Sequence, residues 1–270
     1  MEWILSHEVA IRIGCFAGLF ALLALLEAVF PRRPQPIGRL RRWPGNLGIV
    51  AINSLVTRLL VPVTAVGVGL VAETKGWGLL GLAGIGGWPA VLLGFLALDL
   101  AIYVQHIAFH KIAILWRLHR THHADLELDA TTGLRFHPIE IVLSLLIKLT
   151  VIALIGAPAL AVLLFEIALN ATSMFNHANL ALPPALDRVL RLIVVTPDMH
   201  RVHHSIRREE TDSNFGFNLP WWDRLFGTER AQPVDGHLGI TIGIPLFRDP
   251  GELRLDRMLL QPFRPDRPAP

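Results

Sequence analysis

The chain has 270 residues, 52% of them hydrophobic and only 17% charged, against roughly 25% charged in an average soluble domain. With a mean hydropathy of +0.47, this excludes a disordered or fibrous protein and argues against a soluble globular enzyme. The net charge of +3 is modest, and the arginines gather beside apolar runs rather than on one long basic face, which fits membrane topology and not nucleic-acid binding.

The N-terminal segment MEWILSHE has no basic n-region and no small-residue cleavage site, so the first apolar run, Ile13 to Phe30, is expected to stay as a membrane span. Cys15 lies in that run. As the sole cysteine it leaves no intrachain disulfide and no cysteine-based metal site. A basic stretch follows, with Arg32, Arg33, Arg39, Arg41 and Arg42. Leu47 to Ala72 is a second run, with Asn53 and Arg58 in its first half. Glu73 to Trp88 reads as a Gly-rich loop, and Pro89 to Gln105 as a third run carrying Asp99.

A polar segment from Lys111 to Pro138 is dense in His, Arg and Asp. Ile139 to Ser173 is apolar again and predicts a hairpin of two half-length or tilted helices, turning at Gly156 and Pro158. Leu190 to Val195 is too short to span and is expected at the membrane interface. The Pro-rich end, RPDRPAP, reads as a frayed tail. The fold class expected is therefore all-α: an integral membrane bundle of about four spans with a cytoplasmic helical cap. Residues 1–98 are N-terminal membrane helices and loops, 99–230 a catalytic domain that includes the membrane hairpin 139–173, and 231–270 a C-terminal tail.

Orientation follows from the basic residues. Five arginines after the first span place that loop in the cytoplasm. Counting spans from there puts His106 to His137, His177 and His200 to His204 all on the cytoplasmic side.

The histidines carry the chemistry. His106 and His110 are spaced i, i+4, and His119, His122 and His123 are spaced i, i+3, i+4. His200, His203 and His204 repeat the second spacing. An isolated HxxxH or HxxHH is often only a polar helix face. Three clusters on one membrane side are different, because neutral imidazoles near lipid need a partner. Eight imidazoles exceed one zinc site and suit two metal ions with open positions. Ligand type alone admits iron, zinc, copper or nickel.

Those three boxes, with the segments DLAIYVQHIAFH, WRLHRTHHADLELDATTGLRFHPIE, NHANL, TPDMHRVHHS and SNFGFNLPWWDRLFGTE around them, resemble the fatty acid hydroxylase and sterol desaturase superfamily of membrane-bound non-haem di-iron oxygenases. The likeness runs from Asp99 to Thr228. Asn214-Phe215-Gly216 stands where many members have Asn-Tyr-Gly, and His106-Ile107 where many have His-Arg. The resemblance implies metal ligation by His106, His110, His119, His122, His123, His200, His203 and His204, with His177 as a ninth ligand. It also implies two iron ions, O2 as co-substrate, a lipid substrate from the bilayer (fatty acyl, sterol or ether lipid) and hydroxylation or desaturation of a C–H bond. No GxGxxG or iron–sulfur motif is present, so the electrons are expected from a separate donor protein. The implied location is a multi-pass protein of the bacterial inner membrane with its active site on the cytoplasmic side.

Several polar residues are candidates to support the ligands. Asp99 and Tyr103 share a helix face with His106 and His110, and Asp99 is expected to orient a ligand histidine. Glu166, Asn170, Ser173 and His177 form a polar stripe that either lines a substrate tunnel or supports His177. Arg58 is a potential partner for one of these acids. His137, before Pro138 and Glu140, is read as a cap or support more than as a ligand. Asp125, Asp129, Asp198, Asp212 and Asp223 lie near the clusters, whereas His7 and His237 fall outside them. Two alternatives use the same clusters. A metal-ion transporter would call for mid-membrane ionisable groups in several spans and for internal repeats. A zinc hydrolase would favour an HExxH motif, which is absent.

Overall fold

The computed structural model describes residues 2–266. Among them no β-strand forms, and only two isolated bridges occur, Pro31 with Leu180 and Ser205 with Ile242. Five helical stretches are long and apolar enough to cross a membrane. They comprise α1 (Glu8–Val29), α2 (Arg39–Leu60) with its continuation α3 (Ala65–Lys75), and α4 (Gly87–Lys111). After the shorter α5 (Ala113–His123) come α6 (Pro138–Ile155) and α7 (Ala159–His177). The hairpin arms α6 and α7, expected as half-length or tilted helices, have 18 and 19 residues. At 1.5 Å per residue each approaches the ~30 Å of a bilayer core, which is why five stretches qualify rather than about four.

The second apolar run is not one continuous helix. It breaks after Leu60, where Pro62 removes an N–H and crowds the preceding turn. Thr64 then starts α3, its hydroxyl accepting from the Gly67 N–H at 2.9 Å. Between α6 and α7 the turn falls where expected: Gly156 ends α6 in the left-handed region at φ 74°, and Pro158 is the cap of α7.

Helix α7 is the hub. In its apolar window 56% of the residues are buried, against 6% for α1, so α1 lies at the periphery. Small residues let the backbones approach. A Cβ on Gly94 of α4 would sit 3.2 Å from the methyls of Ala157 and Ala161, and one on Gly69 of α3 would sit 3.1 Å from Ala159. The core they enclose includes Leu98, Ile102, Ile152, Val162, Leu163 and Phe165.

The C-terminal ends of α1, α4 and α7 meet the N-terminal ends of α2 and α6 at one end of the bundle. Glu27 on α1 accepts from the backbone N–H groups of Ala130 (2.8 Å) and Asn179 (2.9 Å) there. Three of the arginines that were read as topology signals are also internal partners at this end: Arg32 pairs with Asp198, Arg39 with Glu27, and Arg42 is fully buried. The short helices α8 (Pro184–Leu190), α9 (Pro197–His203) and α10 (Trp221–Phe226) complete it. Val189, Leu192 and Ile193 are exposed beside Arg188 and Arg191, the amphipathic edge expected of an interfacial segment.

Residues 231–266, expected as a tail, pack back onto this end. Leu253 and Met258 are fully buried, and Gly45 of α2 lies so close to the Leu253 carbonyl that a Cβ would not fit. The Pro-rich end is held at its start. Arg117 donates to the carbonyls of Pro262 (2.9 Å) and Arg264 (2.7 Å), and Arg120 pairs with Asp266. The rest of the segment expected to fray, 267–270, lies outside the described residues.

Candidate metal centre

Nine histidines converge at this end in two groups. His106, His110, His119, His123 and His203 form one, and His122, His177, His200 and His204 the other; within each, one nitrogen per residue lies within 4.8 Å of all the others. The last turns of α4 supply His106 and His110, the last two turns of α5 its triplet, the end of α7 His177, and α9 with its cap the final triplet. Each HxxHH box divides between the groups. The i, i+4 pair His119 and His123 enters the first and His122 the second; the pair His200 and His204 enters the second and His203 the first.

The hydrogen bonds define which nitrogen faces inward. Nδ1 of His106 lies 2.7 Å from the Phe215 carbonyl, Nδ1 of His203 2.7 Å from the Ser213 carbonyl, and Nδ1 of His177 2.7 Å from the Ser173 carbonyl. A carbonyl only accepts, so these Nδ1 atoms carry the hydrogen and each Nε2 presents a bare lone pair. In the first group Nε2 of His106, His110, His119, His123 and His203 is buried with no partner. In the second, Nε2 of His177 lies 3.1 Å from that of His122, 3.0 Å from that of His204 and 3.1 Å from that of His200. Converging lone pairs without enough hydrogens between them repel, and a cation resolves that repulsion. The donor set therefore fits two metal ions.

Burial enforces the neutral form that a ligand needs. It pushes His122, His123, His200 and His204 well below the usual imidazole range, and the neighbouring imidazoles push further the same way. Burial brings His203 down to about 3 against the opposing Ser213 carbonyl.

One carboxylate hydrogen-bonds the set, and a second, Asp212, lies 3.7 Å from His110 Nδ1. Glu140 Oε1 accepts from His119 Nδ1 at 2.6 Å, in the first turn of α6. Glu140, beside His137 and Pro138, carries no assigned role in the sequence; the signal for it is an acid in the first helical turn after a histidine box. His137 lies in neither group. Its Nδ1 caps α6 by accepting from the Ile139 N–H at 3.2 Å.

The proposed supporting residues lie elsewhere. Asp99 accepts from Trp222 Nε1 at 2.8 Å and does not reach a histidine. Tyr103 bonds Thr228 Oγ1 at 2.8 Å and stacks on Phe226. Glu166 pairs with Arg12 at 3.0 Å and with Lys148, and Asn170 donates to the Glu166 carbonyl at 2.8 Å. Arg12 and Lys148, not Arg58, are thus the cations on Glu166. Of the polar stripe, Ser173 supports His177, through its carbonyl.

The acids near the boxes hold loops. Arg42 donates to Asp125 (2.8 and 2.9 Å), Asp129 (2.5 Å) and Thr132 Oγ1 (2.9 Å), which closes the loop after the second box onto α2. Burial alone would raise the Asp125 carboxyl; the Arg42 guanidinium overrides this and holds it well below the usual carboxylate range. Asp223 accepts from the N–H groups of Phe215 and Gly216, both at 2.8 Å, and so fixes the loop whose carbonyl orients His106. Asp198 binds Arg32 and Arg201, and Asp212 binds Lys111 at 2.8 Å. His7 bonds the Trp3 carbonyl, and His237 lies 3.5 Å from Asp198; neither joins a group.

Known proteins resemble part of this chain. Over 160 residues, 57% of this chain and 47% of the relative, it is 34% identical to an ornithine lipid hydroxylase of Rhizobium tropici. It is 32% identical to the alkylglycerol monooxygenase of Homo sapiens over 57% of this chain and 33% of the relative. It is 24% identical to the cholesterol 25-hydroxylase of Rattus norvegicus over 53% of this chain and 47% of the relative. The chain thus matches less than half the length of these relatives. No solved structure matches it. The family model described as fatty acid hydroxylase matches residues 91–228, the segment that carries all nine grouped histidines, and the chain belongs to that family.

Proposed function

We propose that this protein is a membrane-embedded non-haem di-iron oxygenase that hydroxylates a C–H bond in the alkyl portion of a lipid. The observation that carries this reading is the convergence of ring nitrogens from nine buried histidines into two groups, with Nδ1 of His106, His177 and His203 held by carbonyls so that their Nε2 lone pairs face inward. The named activities of the similar proteins, all lipid hydroxylases or monooxygenases, support the reaction class.

Two irons, when bound, would supply the reduction of O2 and the oxidising power for an unactivated C–H bond. His106, His110, His119, His123 and His203 would hold one, and His122, His177, His200 and His204 the other. The Phe215, Ser213 and Ser173 carbonyls and Glu140 set the ring orientations. Burial of every ligand excludes bulk water from the oxidising site. Histidine acts here as ligand rather than base, and electrons come from a separate donor protein. Arg33, Arg39, Arg41 and Arg42, between α1 and the start of α2, support a cytoplasmic location for the histidine end, in a bacterial inner membrane.

The test is metal content. The protein is purified without chelator or affinity metal, iron and zinc are quantified per chain, and a Mössbauer spectrum is recorded. Two magnetically coupled irons, with lipid-dependent O2 uptake from a reduced donor, are expected. One zinc that resists anaerobic ferrous reconstitution would sink the reading and favour a hydrolase. Metal ions crossing vesicle membranes without O2 uptake would favour a transporter.

A further inference from the structure

All nine grouped histidines are at least 94% buried, so a lipid chain reaches them only if a side chain moves. Two rings separate them from the apolar interior of the membrane helices. Phe136 stacks on His122, of the four-histidine group, at 4.3 Å and 11°, and lies 6.1 Å from His119 of the five-histidine group. Phe217 lies 5.3 Å from His106 of the five-histidine group and 6.0 Å from His200 of the other. Each ring therefore straddles both groups. The two rings are 6.4 Å apart; Phe217 belongs to the core formed by Leu98, Ile102, Ile152 and Leu163, and Phe136, partly buried, packs against it.

Their backbones are pinned from below. Asn53 on α2 donates to the Phe136 carbonyl at 2.9 Å, and Asn176 on α7 donates to the Phe217 carbonyl at 3.1 Å. A fixed backbone leaves rotation about χ1 and χ2 as the available motion, and a swing of either ring would uncover both groups towards the apolar core between the membrane helices. The space one phenyl ring vacates accepts a methylene chain; a fused-ring lipid would need both rings and part of the backbone to move.

We propose that Phe136 and Phe217 form a gate that admits an unbranched alkyl chain from the membrane interior, and that their bulk sets which carbon of that chain stops at the histidines. This rests on the lipid-oxygenase reading above. It goes further by naming the entry route, the specificity-determining residues and the shape of the substrate.

The test uses the full chain in phosphatidylcholine vesicles containing a phosphatidylcholine with a diazirine near the end of one acyl chain. After irradiation the adducts are mapped by mass spectrometry. Wild type is expected to carry adducts on Phe136, Phe217 and Ile102. In Phe217→Ala and Phe136→Ala the adducts advance several-fold into the segments 119–123 and 200–204. Phe217→Leu keeps most of the apolar volume and gives the smaller change. Adducts confined to outward-facing positions such as Leu92, Leu146 and Leu154, alike in wild type and variants, overturn the gate. Labelling needs neither metal nor turnover, so it decides the gate even if the oxygenase reading fails. Lipid-dependent O2 uptake with outward-only labelling would keep the oxygenase and remove the gate. In turnover, Phe217→Ala moves the oxidised carbon along the chain; a change in rate with the position unchanged counts against the gate.

Discussion

Glu140 Oε1 and His119 Nδ1 lie 2.6 Å apart, both buried, and among the described residues no other carboxylate is within hydrogen-bonding distance of the nine grouped histidines. A carboxylate on Nδ1 raises the basicity of Nε2 and fixes its ring. Glu140→Gln keeps the shape and removes the charge. It is expected to weaken metal binding at the five-histidine group by roughly 10- to 100-fold and to leave the other group unchanged. Cobalt(II) titration against a competing chelator measures both; two unaltered affinities would remove Glu140 from the support of the site.

His122 and His123 are adjacent in the chain, yet their ring planes stand 89° apart and they enter different groups. His122→Ala leaves three histidines in its group and His123→Ala leaves four in the other. His122→Ala is therefore expected to lose metal from the smaller group first and retain about one ion per chain after dialysis, while His123→Ala retains more. Elemental analysis of the dialysed variants decides it. Identical losses would mean that the two groups do not act as separate sites.

Arg42 and Arg41 are neighbours with opposite environments: Arg42 is fully buried on Asp125 and Asp129, and Arg41 is exposed. Arg42→Met strands two buried carboxylates and is expected to cost about 3–5 kcal/mol. Arg41→Met should change stability by no more than about 0.5 kcal/mol. Thermal unfolding in detergent compares them, and similar midpoints would refute an ion network that closes the loop after the second histidine box.

The buried histidines also predict an acid limit for the metal-stripped protein. The folded values of His122, His123, His200 and His204 lie below the ordinary 6.5, and that of His203 is about 3. Between these values the unfolded chain binds more protons than the folded one, so stability rises with pH across that window and is level above it. One pH unit below 6.5, each such histidine costs about 1.4 kcal/mol. Unfolding midpoints measured from pH 8 down to 5 should therefore hold above pH 7 and fall steeply below 6.5; a flat profile would show that the imidazoles already share protons when folded.

Spacing along the chain was enough to expect an all-helical membrane protein and to single out eight of the nine histidines that meet at the centre; His177, alone in its segment, is expected only from the family resemblance. Helical periodicity and long apolar runs are local properties, and i, i+3, i+4 spacing puts side chains on one face whatever surrounds the helix. Local spacing also located the turn at Gly156 and Pro158. It could not say what each face meets. Asp99 shares a face with His106 and was assigned to a histidine, but that face is occupied by Trp222, 123 residues further on. The cations on Glu166 are Arg12 from α1 and Lys148 from α6, not Arg58, because the relative placement of helices decides partners between them. The division of the nine histidines into five and four, the Glu140 contact and the two rings over both groups all depend on how α4, α5, α6, α7 and α9 pack around one another. Those are long-range contacts, and the tertiary structure alone decided them.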